Sequence, residues 1–380
     1  MSEARVGRIS NENNTGGPII SGITTFSGQN YFVPPKGTTA ERPSNCPVGS
    51  IRFNTDSAKL EYFDGLQWLE MEAFNVELGV SGALGNRGVF GGGYVPGGGG
   101  NQTRIDYITI STLGDAITFG SLSLARRGLG GCGSQTRGLF MGADGNQTQR
   151  IDFITYSSTG SATSFGALTA NKEDVATLSS STRGVSLGGG NAPVGLGLNV
   201  IDYVTIASEA NAVDFGDLIE NIQTCGACAS STRGVVGGGE TPGSRTNLIE
   251  FITISTLGNA TSFGNLSTVG RETVTACSNS TRGIFGGGAT PVRSNVIDFI
   301  TIATTGNATD FGDLSTERNN FCACASSIRG LFAGGRTNST PNSNVIEYIT
   351  IASTGNAIDF GDLTIARFSP GACSNGHGGL

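Results

Sequence analysis

Carboxylates are the most regularly placed reactive groups in this 380-residue chain. Asp106, Asp152, Asp202, Glu250, Asp298 and Glu347 each follow an isoleucine in six copies of one phrase, from IDYITI at Ile105 to IEYITI at Ile346. Paired carboxylates can protonate a leaving group and activate water, so glycosidase or lyase chemistry is within reach of the inventory. A catalytic site breaks symmetry, however, and a residue present once in every repeat normally performs a repeated structural task. The arginines of six Arg-Gly steps (Arg87, Arg137, Arg183, Arg233, Arg282 and Arg329) fall to the same argument. The DFGD steps at Asp214/Asp217, Asp310/Asp313 and Asp359/Asp362 could offer oxygen ligands to calcium. Solvation at turns and strand ends is the simpler reading.

Nucleophile and metal chemistry are poorly supplied. The one histidine, His377, lies near the C-terminus, where a strand or turn position accounts for it. Cys225/Cys228 and Cys322/Cys324 have spacings seen in metal and redox sites, but no histidine or second pair accompanies them. Cys132, Cys228, Cys277 and Cys324 instead stand five residues before an Arg-Gly or equivalent step, and Cys373 occupies the matching slot. They read as small buried residues of a repeating unit. No nucleophile elbow, P-loop, zinc-protease or dinucleotide fingerprint occurs. No catalytic residue, metal or cofactor is therefore expected, and a non-enzymatic role is favoured.

The elements that position these residues repeat. Successive Ile-Asp/Glu phrases start 46, 50, 48, 48 and 49 residues apart, and the Arg-Gly steps keep the same beat. Each repeat carries a small-residue segment (CACASS at Cys322), a glycine-rich one (RGLFAGG), a β-branched and aromatic one (NVIEYITI) and a short last one (AIDFGDL). Four short strands in about 48 residues, bounded by turn residues, are the pattern of a propeller blade. Alternation in the third strand buries Ile346, Tyr348 and Ile349, and leaves Glu347 and Thr350 free to face water. The expected fold is all-β: a six-bladed propeller over residues 74–380, preferred to seven blades or an open solenoid.

The segment ACSNGHGGL (372–380) aligns with a first strand and has no repeat of its own to complete. The repeat opening near Arg87 has no such strand just upstream. Ring closure is expected, with residues 369–377 supplying the first strand of the blade made by 87–125 and removing two exposed sheet edges.

The repeat resembles the kelch type. The glycine doublet or triplet, the third-strand aromatic (Tyr107, Phe153, Tyr203, Phe251, Phe299, Tyr348) and the fourth-strand aromatic (Phe119, Phe165, Phe215, Phe263, Phe311, Phe360) stand in kelch order. It departs from that type in having phenylalanine where tryptophan is usual, and in its uniform Arg-Gly step. The histidines of kelch-type copper oxidases are missing from it.

The first 73 residues do not share the repeat. Residues 1–47 are rich in Asn, Gly, Pro, Thr and Ser and read as an extended attachment arm. Residues 48–73 read as a small β-meander: Ile51/Phe53, Leu60/Tyr62 and Leu66/Trp68 mark three strands, with turns at Asp56-Ser57 and Asp64-Gly65. The phrase GSIRFNTDSAKLEYFDGLQW resembles a hairpin module of tailed-bacteriophage structural proteins and tail fibres. With the glycine-rich repeats behind it, the chain is similar to virion proteins of phages that infect cyanobacteria. The resemblance implies a virion location, with synthesis in the host cytoplasm, membership of a multi-copy assembly, and attachment to other virion proteins through residues 1–73.

A net charge of −7 and a sequence pI near 4.9 argue against nucleic acid as a partner. No run approaches 18 apolar residues, so membrane insertion is not expected, and Met1 to Gly17 has no apolar core of a secretion signal. Within the repeats, second-to-third-strand loops vary strongly, from YVPGGGGNQTR to RTNSTPNSN, whereas the turns at the opposite end are monotonous. Eleven basic residues fall in or beside the variable connections, among them Arg126, Lys172, Arg271, Arg318 and Arg367. Loops on a rigid scaffold are where recognition usually resides. Tyr94, Arg104, Arg150, Arg245, Arg293 and Arg336 are the candidate binding residues, for a partner protein or a host cell-surface glycan. The alternatives are a capsid decoration or neck protein, and a glycan-active enzyme on the same scaffold.

Overall fold

The computed structural model describes residues 34–57, 59–71, 87–144, 149–191, 196–267 and 269–380. The chain divides into two compact units, Met1–Asn75 and Val76–Leu380. Among the described residues it is all-β, with one short 3-10 turn at Thr39–Glu41 and no α-helix.

Each repeat of the larger unit forms one antiparallel sheet in chain order. Strands Cys322–Ala325, Arg329–Ala333, Val345–Thr350 and Ile358–Asp362 pair in that sequence, and the repeats from Gly130, Ala176, Gly226 and Thr275 do the same. In the remaining sheet the first strand comes from the end of the chain. Gly371–Ser374 pairs with Arg87–Gly91, followed by Gly100–Thr109 and Ile117–Arg126.

The six first strands touch in cyclic order: from Gly130–Gly133 through Ala176–Ser179, Gly226–Ala229, Thr275–Ser278 and Cys322–Ala325 to Gly371–Ser374, and back to the first. Small residues are required there. A Cβ on Gly131 would fall 2.3 Å from the carbonyl oxygen of Ala372. Cys132, Cys228, Cys277, Cys324 and Cys373 fill the same layer, each against the glycine of the next sheet's Arg-Gly step. A Cβ on Gly283 would lie 2.7 Å from Cys228 Sγ, one on Gly330 2.8 Å from Cys277 Sγ, and one on Gly88 2.9 Å from Cys324 Sγ. Seven of the eight cysteines are buried and unpaired, and burial pushes the Cys277 and Cys373 thiols up to about 12. They act as small apolar side chains.

The Arg-Gly arginines staple sheets together. Each guanidinium lies 4.3 to 4.8 Å from the ring centroid of its own sheet's third-strand aromatic, as Arg233 does over Phe251 and Arg282 over Phe299. That aromatic meets the fourth-strand phenylalanine edge to face at 5.7 to 6.1 Å. The guanidinium then donates to the carbonyl ending the next sheet's third strand: Arg233 Nη1 to Ile302 O at 2.9 Å, and Arg329 Nη1 to Ile110 O at 2.8 Å. The second of these joins the last repeat to the first.

The third strand departs from simple alternation. Register shifts between Ile346 and Glu347, and at the equivalent step of the other five sheets, mark a β-bulge. Both residues of the bulge are buried, so Glu347 is 1% exposed where alternation expects it to face water.

In the smaller unit the strands are Ile51–Asn54, Lys59–Phe63 and Trp68–Glu70, and Leu66 lies in the turn, 92% exposed, instead of opening the third strand. Asp64 sets that turn by accepting from the amides of Leu66 and Gln67. The arm expected over 1–47 lies outside the described residues up to 33. From Lys36 it is not a bare arm: Lys36–Gly37 pairs in parallel with Phe53–Asn54. Arg42 forms an ion pair with Glu61, which is fully buried and also accepts from Asn54 Nδ2 at 2.7 Å. One sheet face therefore carries buried polar groups. The other carries Ile51, Phe53, Leu60 and Tyr62, of which Ile51 is 50% exposed.

Candidate binding surface

Five of the eleven basic residues assigned to the variable connections are not on a surface. Arg126, Lys172, Arg271, Arg318 and Arg367 are buried, each paired with the repeating carboxylate of the following sheet. Arg126 reaches Asp152 at 2.8 Å, Lys172 reaches Asp202 at 2.9 Å and Arg367 reaches Asp106 at 3.0 Å; Arg271 pairs with Asp298 and Arg318 with Glu347. These cations also donate to backbone carbonyls, as Arg271 Nη1 does to Gly287 O and Val296 O. Burial lowers Arg318 to about 10, which still leaves it charged at neutral pH. The task of the repeating carboxylates is this buried ion pair. The signal was available in the sequence: a basic residue stands seven or eight positions after the fourth-strand phenylalanine in five of six repeats.

The sixth slot is different. Ile222, 2% exposed, stands where the other links carry a cation. Glu250 is buried and accepts from the Ile219 amide at 2.8 Å, with no ion pair among the described residues. Burial raises its pKa, and the nearby Glu220 adds to the rise.

The end of the sheets that holds the variable loops surrounds an axial cavity of about 120 Å³. Its mouth is set by one left-handed residue per repeat: Gly128, Asp174, Thr224, Thr273, Asn320 and Ser369, with φ between 47° and 64°. Threonine in this region is strained, and packing on both sides must hold it there. Backbone bonds link several of the six, including Asp174 N to Gly128 O at 2.9 Å and Ser369 N to Asn320 O at 2.7 Å. Burial and the Asp144 charge raise Asp174 to about 6. At the far end His377 is half-buried. Its Nδ1 accepts from the Gly379 amide at 3.1 Å, so Nε2 carries the proton and donates to Gly133 O at 2.9 Å. Burial holds its pKa below the usual value.

The six candidate residues do not form one site. Arg104 donates to Thr118 and Thr364, and Arg150 to Ser123 and Asp152, on outer strands. Arg245 pairs with Glu272 at 2.9 Å. Tyr94 and Arg336 come together through Phe368 where the first and last repeats meet, and Arg293 reaches the last repeat at Asn338. Tyr94 and Phe368 exchange backbone hydrogen bonds at 2.8 and 3.1 Å, with their rings 5.2 Å apart. Arg336 Cζ lies 3.6 Å from the Phe368 ring centroid, and Arg127 Cζ lies 4.7 Å from that of Tyr94. Phe368, 4% exposed, and Arg127 complete the cluster. No protein-family model and no curated protein matches the chain.

Among the described residues no three His, Cys, Asp or Glu side chains stand close enough to hold a metal, and no helix is long and apolar enough to cross a membrane.

Proposed function

We propose that the chain is a virion structural protein of a tailed bacteriophage, with a closed six-bladed, kelch-like β-propeller as its binding scaffold. The N-terminal unit attaches it to other virion proteins, and the variable loops face a host surface or a protein partner. The propeller reading rests on the cyclic contact of the six first strands and on the last repeat's return to the first through Gly371–Ser374, Arg329 and Arg367. The binding reading rests on the concentration of symmetry-breaking residues at one end of the sheets, against arginines, glycines and carboxylates that repeat at every other level. The phage assignment rests on the phrase GSIRFNTDSAKLEYFDGLQW. The apolar, exposed face of that meander supports its use in attachment, because buried contact with a partner would remove Ile51 and Leu60 from water.

Fluorescent full-length protein and residues 74–380, applied to candidate host cells, test the reading. Binding by both proteins supports a host-contact head. Binding by neither, with residues 1–73 still required for incorporation into particles, turns the proposal to an architectural one such as capsid decoration or neck.

A further inference from the structure

Arg336 is half-buried, and its side chain makes no hydrogen bond or ion pair to the described residues. Its guanidinium is fixed in direction by the Phe368 ring, yet its five N–H donors have no acceptor among the described residues. Arg293 stands close by, held by Asn319 Oδ1 at 3.0 Å and Asn338 Oδ1 at 2.9 Å instead of by a carboxylate. Burial lowers the Arg336 pKa, and the charges of Arg293 and Arg127 lower it further, so the cations repel one another. Arg127 is offset by Asp144, and Glu317 reaches the cluster only through Asn338. Two guanidinium groups are thus held together without a carboxylate of their own, at a cost that a bound anion would reverse.

We propose that Arg336 and Arg293, beside the Tyr94–Phe368 clasp, bind the carboxylate or sulfate of an acidic sugar. The planar fork of Arg336 suits either group. The loop around it, Thr337 to Asn344, offers hydroxyls and amides with no apolar anchor, which matches the hydroxyls of a sugar better than the apolar centre of a protein interface. The inference rests on the proposed reading of this end of the sheets as a binding face.

Titration calorimetry on the full-length protein tests it, with an oligogalacturonate, a sulfated galactose oligosaccharide, a neutral galactose oligosaccharide and a poly-glutamate peptide as probes. At least one acidic sugar should bind saturably and the neutral one should not. Arg336→Ala and Arg293→Ala should each weaken binding about tenfold, the effect of losing one charge-assisted contact. Arg336→Lys should weaken it less, and Lys36→Ala, at an exposed cation of the smaller unit, should leave it unchanged. Melting temperatures identify any variant that fails to fold, and Arg336→Lys keeps the test alive if Arg336→Ala does. The proposal is overturned if no acidic sugar binds, if Lys36→Ala is as damaging, or if poly-glutamate binds as tightly with the same arginine dependence. Cell binding undiminished in Arg336→Ala also overturns the site while leaving the host-contact reading standing. Acidic-sugar binding without cell binding keeps the site and removes that reading.

Discussion

Arg367 and Asp106, 261 positions apart, form an ion pair of 3.0 Å in which both side chains are fully buried. Arg367 also donates to the carbonyls of Arg104 and Phe90, so one side chain ties the last link of the chain to the second and third strands of the first repeat. The same device occurs between neighbours elsewhere, and its energetics are asymmetric. A buried pair replaced as a whole by apolar groups can be nearly neutral, whereas losing one partner strands a charge. Asp298→Asn, which leaves Arg271 unpaired, should cost about 3–5 kcal/mol in chemical denaturation. Arg271→Met combined with Asp298→Leu should cost clearly less than Asp298→Asn alone. A single variant as stable as the parent would remove the ion pair from the account.

Glu250 reverses the expectation. Its carboxylate is buried without a cation because Ile222 occupies the slot, and burial raises its pKa. Glu250→Gln keeps the shape and an acceptor for the Ile219 amide while removing the charge. Denaturant midpoints at neutral pH should therefore be unchanged or higher, within about 1 kcal/mol, in contrast to Asp298→Asn. Loss of several kcal/mol on Glu250→Gln would mean that the ionised carboxylate is needed where it stands.

The Arg-Gly staples give a milder test. Arg233 both covers Phe251 and bridges to the Ile302 and Ala303 carbonyls, a combination that needs a planar group with several donors. Arg233→Lys should lower stability by about 1–2 kcal/mol, the scale of one lost hydrogen bond and one weakened ring contact. A melting temperature equal to the parent's would show that positive charge alone suffices.

Much of this arrangement could be read from the chain before any coordinates. The 48-residue beat located the strands, because turn residues and β-branched runs are local signals, and the orphan segment ACSNGHGGL implied the return of the C-terminus to Arg87. The buried cations were misread for a physical reason. Arg318 and Glu347 are 29 positions apart and belong to different sheets, so only the recurrence of a cation at one slot per repeat links them in the sequence, and the bulge at Ile346–Glu347 buries a residue that alternation turns outward. Basic residues in variable connections looked like one surface, although five of them are core. The pairing of Tyr94 with Phe368 was invisible for a related reason: it exists only because the ends of the repeat array meet.

That meeting can be broken directly. Removal of residues 366–380 deletes Arg367, Phe368 and the strand Gly371–Ser374, exposing the edge of Arg87–Gly91 and stranding Asp106. Size-exclusion chromatography should show aggregate in place of a monodisperse peak. A soluble, monodisperse truncation with an unchanged melting temperature would contradict closure through this strand.

The pH dependence of stability should separate the two ends of the sheets. His377 is held neutral, its pKa lowered by burial, so the unfolded chain binds a proton more readily. Its contribution is complete above the ordinary histidine pKa of about 6.5 and is lost as pH falls below it. Asp174 acts in the opposite direction. Its pKa is raised to about 6, so the folded state holds a proton that the unfolded chain has released. Its contribution is greatest below the ordinary aspartate value of about 4 and is lost as pH rises toward 6. Between those limits the two contributions oppose one another, so each is read as a difference from the parent. Asp174→Asn removes the second and should make stability fall more steeply than the parent's from about pH 6.5 to 4.5. His377→Gln removes the first and should make it fall less steeply, or rise, over the same range. Melting curves of the three proteins in matched ionic strength decide the matter, and parallel profiles for all three would show that neither group titrates differently in the folded state.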